Sequence, residues 1–185
     1  FVGARNLARY SAQQPGELQR AFCNWLDVSS RNLTITRGAD EAIDCLVRSF
    51  CEPGVDNIVT CPPTFAMYAQ SAMLQNVEIR QAPLTSVFEL DPAIIAAAMD
   101  EATKLVFVCS PNNPTGNVMK ATTITDLCIA CDGRALVVVD ETYIEYAIDA
   151  GDASSLIPAL ERFANLVVLR TLSKSHAAAG LRCGC

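Results

Sequence analysis

The feature that most constrains the fold of this chain is a regular alternation between short apolar runs and segments with helical spacing. Three runs are apolar at every position: residues 105–109, 136–139 and 166–169. Such strands are expected where helices cover both faces of a sheet. The repeated strand-then-helix order favours parallel pairing. The sequence therefore predicts an α/β fold of three layers, α/β/α, around a mainly parallel sheet.

Apolar spacing, helix caps and turn breakers predict the remaining elements. The predicted helices cover residues 17–26, 39–50, 62–74, 92–99, 122–131 and 156–163. The other predicted strands cover residues 33–36, 58–61 and 77–81. No internal repeat or linker divides the chain, so we expect one domain over residues 1–185.

Polar motifs follow the predicted strands, each at the point where its strand ends. They are Gly38-Ala39-Asp40, Pro63-Thr64-Phe65, Asn112-Asn113-Pro114-Thr115-Gly116, Asp140-Glu141-Thr142-Tyr143 and Ser173-Lys174. In a parallel sheet, ligands bind beyond the carboxyl ends of the strands. We therefore expect these loops to converge on one crevice.

Lys174 is the candidate nucleophile of that crevice. It follows a strand predicted to be buried, so we expect its amine to be desolvated. Desolvation disfavours an ammonium and lowers the pKa of lysine. A neutral amine attacks aldehydes, so the chemistry indicated is a Schiff base with pyridoxal phosphate. A Ser-Lys pair alone is weak evidence, since most lysines are solvated surface groups.

Other residues match the remaining groups of that cofactor. Asp140 can keep the pyridine nitrogen protonated, although it can equally be a turn or cap aspartate. Asn113 and the Tyr143 hydroxyl can donate to the phenolic oxygen, while Asn-Pro-Thr-Gly is also good turn chemistry. Phe65 can stack on the ring or serve as a core side chain.

A phosphate needs backbone amides at a helix start, together with cations and hydroxyls. The predicted helix that opens at Gly38-Ala39-Asp40 supplies the amides. Asp40 has the wrong sign to bind phosphate, so we expect it to cap its own helix. The remaining candidate phosphate ligands are Thr171, Ser173 and Arg182.

Taken in order, these motifs resemble the fold-type I pyridoxal-phosphate-dependent aminotransferases. The motifs are Thr-Arg-Gly-Ala-Asp-Glu, Cys-Pro-Pro-Thr-Phe, Ser-Pro-Asn-Asn-Pro-Thr-Gly, Val-Asp-Glu-Thr-Tyr, Arg-Thr-Leu-Ser-Lys and Ala-Gly-Leu-Arg-Cys-Gly. Within that family the chain is most similar to histidinol-phosphate aminotransferases. The resemblance implies catalytic roles for Lys174, Asp140 and Tyr143. It also implies transamination between histidinol phosphate and 2-oxoglutarate, giving imidazole acetol phosphate and glutamate in histidine biosynthesis.

The resemblance has further implications. Tyr10 matches a tyrosine that reaches the phosphate of a neighbouring subunit, which implies a homodimer. Phe65 replaces a stacking tyrosine, so a hydroxyl is lost. The family also has an N-terminal arm and a small C-terminal domain, so the chain is expected to be an incomplete large domain. The alternatives are an enzyme like threonine-phosphate decarboxylase and a non-catalytic fragment that binds pyridoxal phosphate.

Composition argues against other partners. A net charge of −6 lacks the basic character of a nucleic-acid-binding face. No apolar run is long enough for a membrane span. The nine cysteines are expected to be mostly buried thiols in a reducing compartment, which predicts a cytoplasmic location. Cys128 and Cys131 form a CxxC, but no second pair lies at zinc-site spacing.

Overall fold

The computed structural model describes residues 14–185. Its centre is a sheet of five strands in the order β2-β1-β3-β4-β5, and every neighbouring pair is parallel. The strands are β1 Asn57–Thr60, β2 Glu78–Gln81, β3 Thr103–Cys109, β4 Leu136–Asp140 and β5 Leu166–Leu169. The predicted parallel sheet is therefore confirmed.

Among the described residues, two helices precede β1 and four lie between successive strands along the chain. They are α1 Gly16–Leu26, α2 Ala39–Phe50, α3 Met67–Leu74, α4 Pro92–Ala98, α5 Ala121–Ala130 and α6 Ile144–Asp149. The start of α4 is capped as predicted, because the Asp91 side chain accepts from the backbone N–H groups of Ala93 and Ile94. Short 3-10 turns cover Ser30–Asn32, Ile157–Glu161 and Ala179–Leu181.

Alternate residues of the central strands face two separate hydrophobic clusters. Leu105 and Phe107 of β3 belong to the cluster that includes residues of α2 and α3. Val106 and Val108 belong to the other cluster, with residues of α4 and α5. All four side chains are fully buried, which is why β3 is apolar at every position from Leu105 to Cys109. The three-layer α/β/α prediction is confirmed.

Several element predictions are wrong in detail. Residues 33–35 are not a strand, and Thr36 forms only an isolated bridge. The helix predicted from Pro62 begins at Met67, because residues 62–65 form an irregular loop. Residues 156–163 contain a 3-10 turn instead of an α-helix. The helix α6 was not predicted.

Gly184 connects the segment before α2 to the segment that follows β5. It forms antiparallel bridges with Thr36 and with Thr171. A Cβ atom added to Gly184 would lie 2.6 Å from the Arg170 carbonyl oxygen and 2.9 Å from the Gly38 Cα. Only glycine fits between these backbones, and its bridges bring the start of α2 close to the end of β5.

The chain divides into two compact units, Phe1–Ile35 and Thr36–Cys185. In the described part of the first unit, Gln14 exchanges hydrogen bonds with the backbone of Ile35. The second unit contains the whole sheet and all of the predicted site residues except Tyr10. Among the described residues, none of the helices has both the length and the apolar character needed to cross a membrane.

Candidate active site

A cavity of about 150 Å³ lies at the carboxyl ends of β3, β4 and β5. Its lining includes every predicted site residue except Gly38 and Tyr10. The predicted residues that line it are Ala39, Asp40, Phe65, Asn113, Asp140, Tyr143, Thr171, Ser173, Lys174 and Arg182. The structure thus brings the predicted loops together, and it adds Cys109, Thr142 and Ala179, which the sequence did not indicate.

The two remaining predicted residues are placed differently. Gly38 is buried just before α2 with a φ of 100°, a conformation that favours glycine. A Cβ atom there would lie 3.1 Å from a guanidinium nitrogen of Arg182. Gly38 therefore lets the backbone approach that cavity residue closely. Tyr10 lies outside the described residues.

Asp140 is the last residue of β4 and is only 2% exposed. One of its oxygens accepts from the Thr142 amide at 3.0 Å and from the Thr142 hydroxyl at 2.6 Å. The other accepts from the Tyr68 hydroxyl at 2.7 Å. Burial raises the pKa of Asp140, and these hydrogen bonds oppose that shift by stabilising the anion. The cavity therefore has a fixed, solvent-shielded carboxylate in its wall.

Tyr68 was missed in the sequence, where it reads as an apolar position of a helix. It is fully buried, and its ring stacks on Phe107 with centroids 4.8 Å apart and planes 11° apart. The Tyr68 ring also forms an edge-to-face contact with Phe65, with centroids 5.7 Å apart and planes at 82°. Tyr68 thus contacts the cavity's aromatic wall as well as its carboxylate.

Asn112 ties together two of the loops that form the cavity. Its side-chain amide donates to the Pro63 carbonyl at 2.9 Å and to the Thr115 hydroxyl at 2.7 Å. Its oxygen accepts from the Thr64 hydroxyl at 3.0 Å. The buried Asn112 therefore holds the loop before Phe65 against the loop that carries Asn113.

Lys174 lies on the cavity wall but is exposed, so the prediction of a desolvated amine is wrong. The reason is its position, because β5 ends at Leu169 and the lysine belongs to the loop that follows. Its Nζ lies 5.7 Å from the centroid of the Tyr143 ring. The amine is therefore accessible to a molecule entering the cavity.

One corner of the cavity combines a helix start with hydroxyls and a cation. The first residues of α2 line it, and the N-terminal turn of a helix presents amides without intrahelical partners. The Thr171 hydroxyl donates to the Ser173 hydroxyl at 2.9 Å. Arg182 completes the corner, so the arrangement suits an anion with several oxygen atoms.

Asp40 does not cap its helix, so that prediction is wrong. The N-cap of α2 is Gly38, and no side chain accepts its hydrogen bonds there. One Asp40 oxygen instead lies 3.7 Å from the Arg182 guanidinium. The neighbouring Glu41 accepts from the Arg37 amide at 2.6 Å, and Asp40 lines the cavity.

A buried charged cluster lies beneath the loops that follow β4 and β5. Glu141 is 1% exposed and accepts from the Ser155 hydroxyl and the Leu156 amide, each at 2.6 Å. The buried Arg170 pairs with Glu141 at 3.4 Å and also with Glu145. Burial raises the pKa of Glu141. This cluster links the residue after Asp140 to the strand end that leads to Lys174.

The cysteines are free thiols, and most of them are buried as predicted. Cys23 and Cys185 are half-buried. Cys45 is exposed, because it lies off the buried stripe of α2 formed by Ala42, Ile43 and Val47. The CxxC pair is buried, and burial raises the pKa of Cys128 to about 11. Among the described residues, no cluster of three or more metal-binding side chains occurs.

Comparison with known proteins adds an independent line of evidence. The model of the family described as aminotransferase class I and II matches residues 3–185. Histidinol-phosphate aminotransferase 1 of Haemophilus influenzae (strain 86-028NP) is 45% identical over 183 residues, which cover 99% of this chain and 51% of that protein. The histidinol-phosphate aminotransferase of Vibrio campbellii is 49% identical over 178 residues, with 96% of this chain and 50% of that protein covered.

The solved structures agree with the sequence relatives. The crystal structure of histidinol-phosphate aminotransferase from Sinorhizobium meliloti in complex with pyridoxal-5'-phosphate is similar, with a TM-score of 0.86 and 27% identity. The match covers 98% of this chain and 48% of that one. The chain thus spans about half the length of the relatives that it matches.

Proposed function

The chain belongs to the class I and II aminotransferase family, and we propose that it forms the cofactor-binding large domain of a histidinol-phosphate aminotransferase. The relatives at 45% and 49% identity carry that name. The single observation that carries the proposal is the convergence of Lys174 and the buried Asp140 on one cavity. An accessible amine and a shielded carboxylate are the two groups that pyridoxal phosphate chemistry needs most.

The residues present fit pyridoxal phosphate, which supplies an aldehyde that condenses with amines and a ring that withdraws electrons. The buried Asp140 would accept from the protonated ring nitrogen and keep the proton there. Asn113 and Tyr143 would donate to the phenolic oxygen, and Phe65 would pack on the ring face. Each of these four residues lines the cavity.

The phosphate group fits the corner at the start of α2. Ala39 and Asp40 are the first residues of α2, where helix amides have no intrahelical partners and can donate to an anion. The hydroxyls of Thr171 and Ser173 and the guanidinium of Arg182 add donors and positive charge. Gly38 contributes by allowing Arg182 to approach the backbone.

Lys174 would serve first as the attachment point and then as the acid–base group. Its Nζ, when free, would take the proton from the substrate Cα and later give a proton back, as the general base and then the general acid. The half-buried Tyr143 ring lies 5.7 Å from the amine, so it would lie beside Lys174 during these proton transfers.

The proposed reaction transfers the amino group of histidinol phosphate to 2-oxoglutarate. Homodimerisation, with Tyr10 at the phosphate of the neighbouring subunit, and a cytoplasmic location belong to the same proposal. So does the division of labour in which residues 1–185 bind the cofactor, while an N-terminal arm and a small C-terminal domain complete the substrate site. The relatives of twice the length support this arrangement.

The proposal is tested by titrating the chain with pyridoxal phosphate and following the absorbance of the cofactor. We expect a saturable spectral change in the wild type that Lys174→Ala abolishes. Lys120→Ala is the matched control, because Lys120 lies on the surface in an ion pair with Glu89, and it should leave the titration unchanged. A wild type without a spectral change, or a Lys174→Ala variant that retains it, would contradict the proposal.

A further inference from the structure

We propose that Tyr68 is a positioning residue, which holds the Asp140 carboxylate in the orientation that meets the ring nitrogen of the cofactor. The inference rests on the proposed function, because it assigns Asp140 to that nitrogen. It goes further by naming a residue that lines no part of the cavity and acts only through its neighbours. Its basis is a set of contacts among side chains of α3, β3 and β4.

The Asp140 carboxylate is held on both of its oxygen atoms. The Tyr68 hydroxyl donates to Oδ2 at 2.7 Å. The Thr142 amide and hydroxyl both donate to Oδ1. A carboxylate with donors on only one oxygen could rotate about its Cβ–Cγ bond. Donors on both oxygens oppose that rotation. Thr142 lies in the loop that follows β4, whereas Tyr68 belongs to α3.

Tyr68 is itself held firmly enough to orient another group. Its side chain is fully buried, its ring is stacked on Phe107, and it forms an edge contact with Phe65. Phe65 is the proposed stacking partner of the cofactor ring. Tyr68 therefore connects the wall that faces the ring plane to the wall that faces the ring nitrogen.

The same hydroxyl helps to keep Asp140 ionised. Burial disfavours the carboxylate anion, and a charge-assisted hydrogen bond favours it. The other titratable groups that face the cavity are Asp40, Cys109, Tyr143, Lys174 and Arg182. The negative charge of Asp40 acts against ionisation of Asp140, whereas the Tyr68 hydrogen bond favours it. Loss of the Tyr68 donor should therefore leave a larger neutral fraction of Asp140.

The first test compares Tyr68→Phe with Tyr146→Phe. Tyr68→Phe keeps the aromatic ring that stacks on Phe107 but removes the hydroxyl that donates to Asp140. Tyr146 is an exposed tyrosine outside the cavity, so its variant controls for loss of a hydroxyl. We expect Tyr68→Phe to weaken pyridoxal phosphate binding about tenfold or more at neutral pH, as for loss of a hydrogen bond to a buried charge. The pH at which affinity is lost on acidification should rise, and Tyr146→Phe should match the wild type.

The second test asks whether Tyr68 acts through Asp140. In an Asp140→Asn background, the further change Tyr68→Phe should have little additional effect on binding, because the carboxylate that it orients is gone. A purely structural role for Tyr68 would instead give effects that add in the double variant. Additive effects, or a Tyr68→Phe variant with wild-type affinity and pH profile, would overturn the inference.

A readout without cofactor separates this inference from the proposed function. The Asp140 carboxyl carbon can be titrated by NMR and assigned by its absence in Asp140→Asn. We expect Tyr68→Phe to move its midpoint to higher pH, and an unmoved midpoint would overturn the inference. If the wild-type chain fails to bind pyridoxal phosphate, the proposed function fails for this chain. The titration then still decides whether Tyr68 controls Asp140.

Discussion

At the residue scale, Asp140 combines two opposing requirements. A carboxylate that stabilises a protonated ring nitrogen must be shielded from water, and shielding disfavours its charged form. Its hydrogen bonds with Thr142 and Tyr68 reduce that cost without removing it, since burial still raises the pKa of Asp140. The residue is therefore expected to weaken the fold in order to serve the site.

This expectation leads to a prediction for Asp140→Asn in the cofactor-free chain. The folded state binds the Asp140 proton more tightly than the unfolded state does. The stability that this proton contributes is complete below the ordinary pKa of 3.8, and it is lost as pH rises through the pKa of Asp140 in the folded state. The variant removes this proton linkage. Its free energy of unfolding should therefore exceed that of the wild type at neutral pH, while its affinity for pyridoxal phosphate should drop.

Urea unfolding at a series of pH values measures the effect. Asp132→Asn is a suitable control, because Asp132 is exposed, and its curve should follow that of the wild type. Curves for Asp140→Asn and wild type that run parallel over the whole pH range would contradict the assignment of a buried, destabilising carboxylate.

At the scale of elements, the cavity depends on a connection that is not part of a regular strand. Gly184 bridges Thr36 and Thr171, and through them it joins the cavity corner at the start of α2 to the loop that carries Lys174. Backbone atoms of Arg170 and Gly38 leave no space for a side chain at this position. The site is therefore sensitive to a residue that touches no ligand.

We predict that Gly184→Ala destabilises the fold by about 1–3 kcal/mol, as for other overpacked sites. The added Cβ meets backbone atoms, which cannot rotate away. Gly180→Ala is the matched control, because a Cβ there meets nothing within 4 Å, and its unfolding midpoint in urea should stay near the wild-type value. Equal midpoints for the two variants would contradict a steric requirement for glycine at this bridge.

The regular elements were predictable to the extent that local patterns determine them. The apolar runs of β3, β4 and β5 and the cap of α4 have strong local signals. Residues 33–36 alternate like a strand, yet only Thr36 forms a bridge. Its partner is Gly184, which is distant in sequence, so no local pattern could indicate the pairing. The helix α6 is short and follows directly on a site motif, which concealed its periodicity.

At the scale of the whole molecule, the convergence of the candidate residues was predictable for those that line the cavity. Those residues follow strand ends, and the topology of a parallel sheet brings them together. The residues that hold them were missed. Tyr68 and Asn112 act across 72 and 48 positions of sequence, respectively, so no local pattern marks them. The desolvation of Lys174 was misjudged because a strand end does not determine the exposure of the loop beyond it.

The central claim is that Lys174 is the residue to which pyridoxal phosphate attaches. It is tested most directly by reducing the chain with borohydride in the presence of pyridoxal phosphate, followed by proteolysis and mass spectrometry. We expect a single predominant pyridoxyl adduct on the peptide that contains Lys174, and none above background on peptides with Lys104 or Lys120. An adduct spread evenly over the lysines, or one absent from Lys174, would contradict the account.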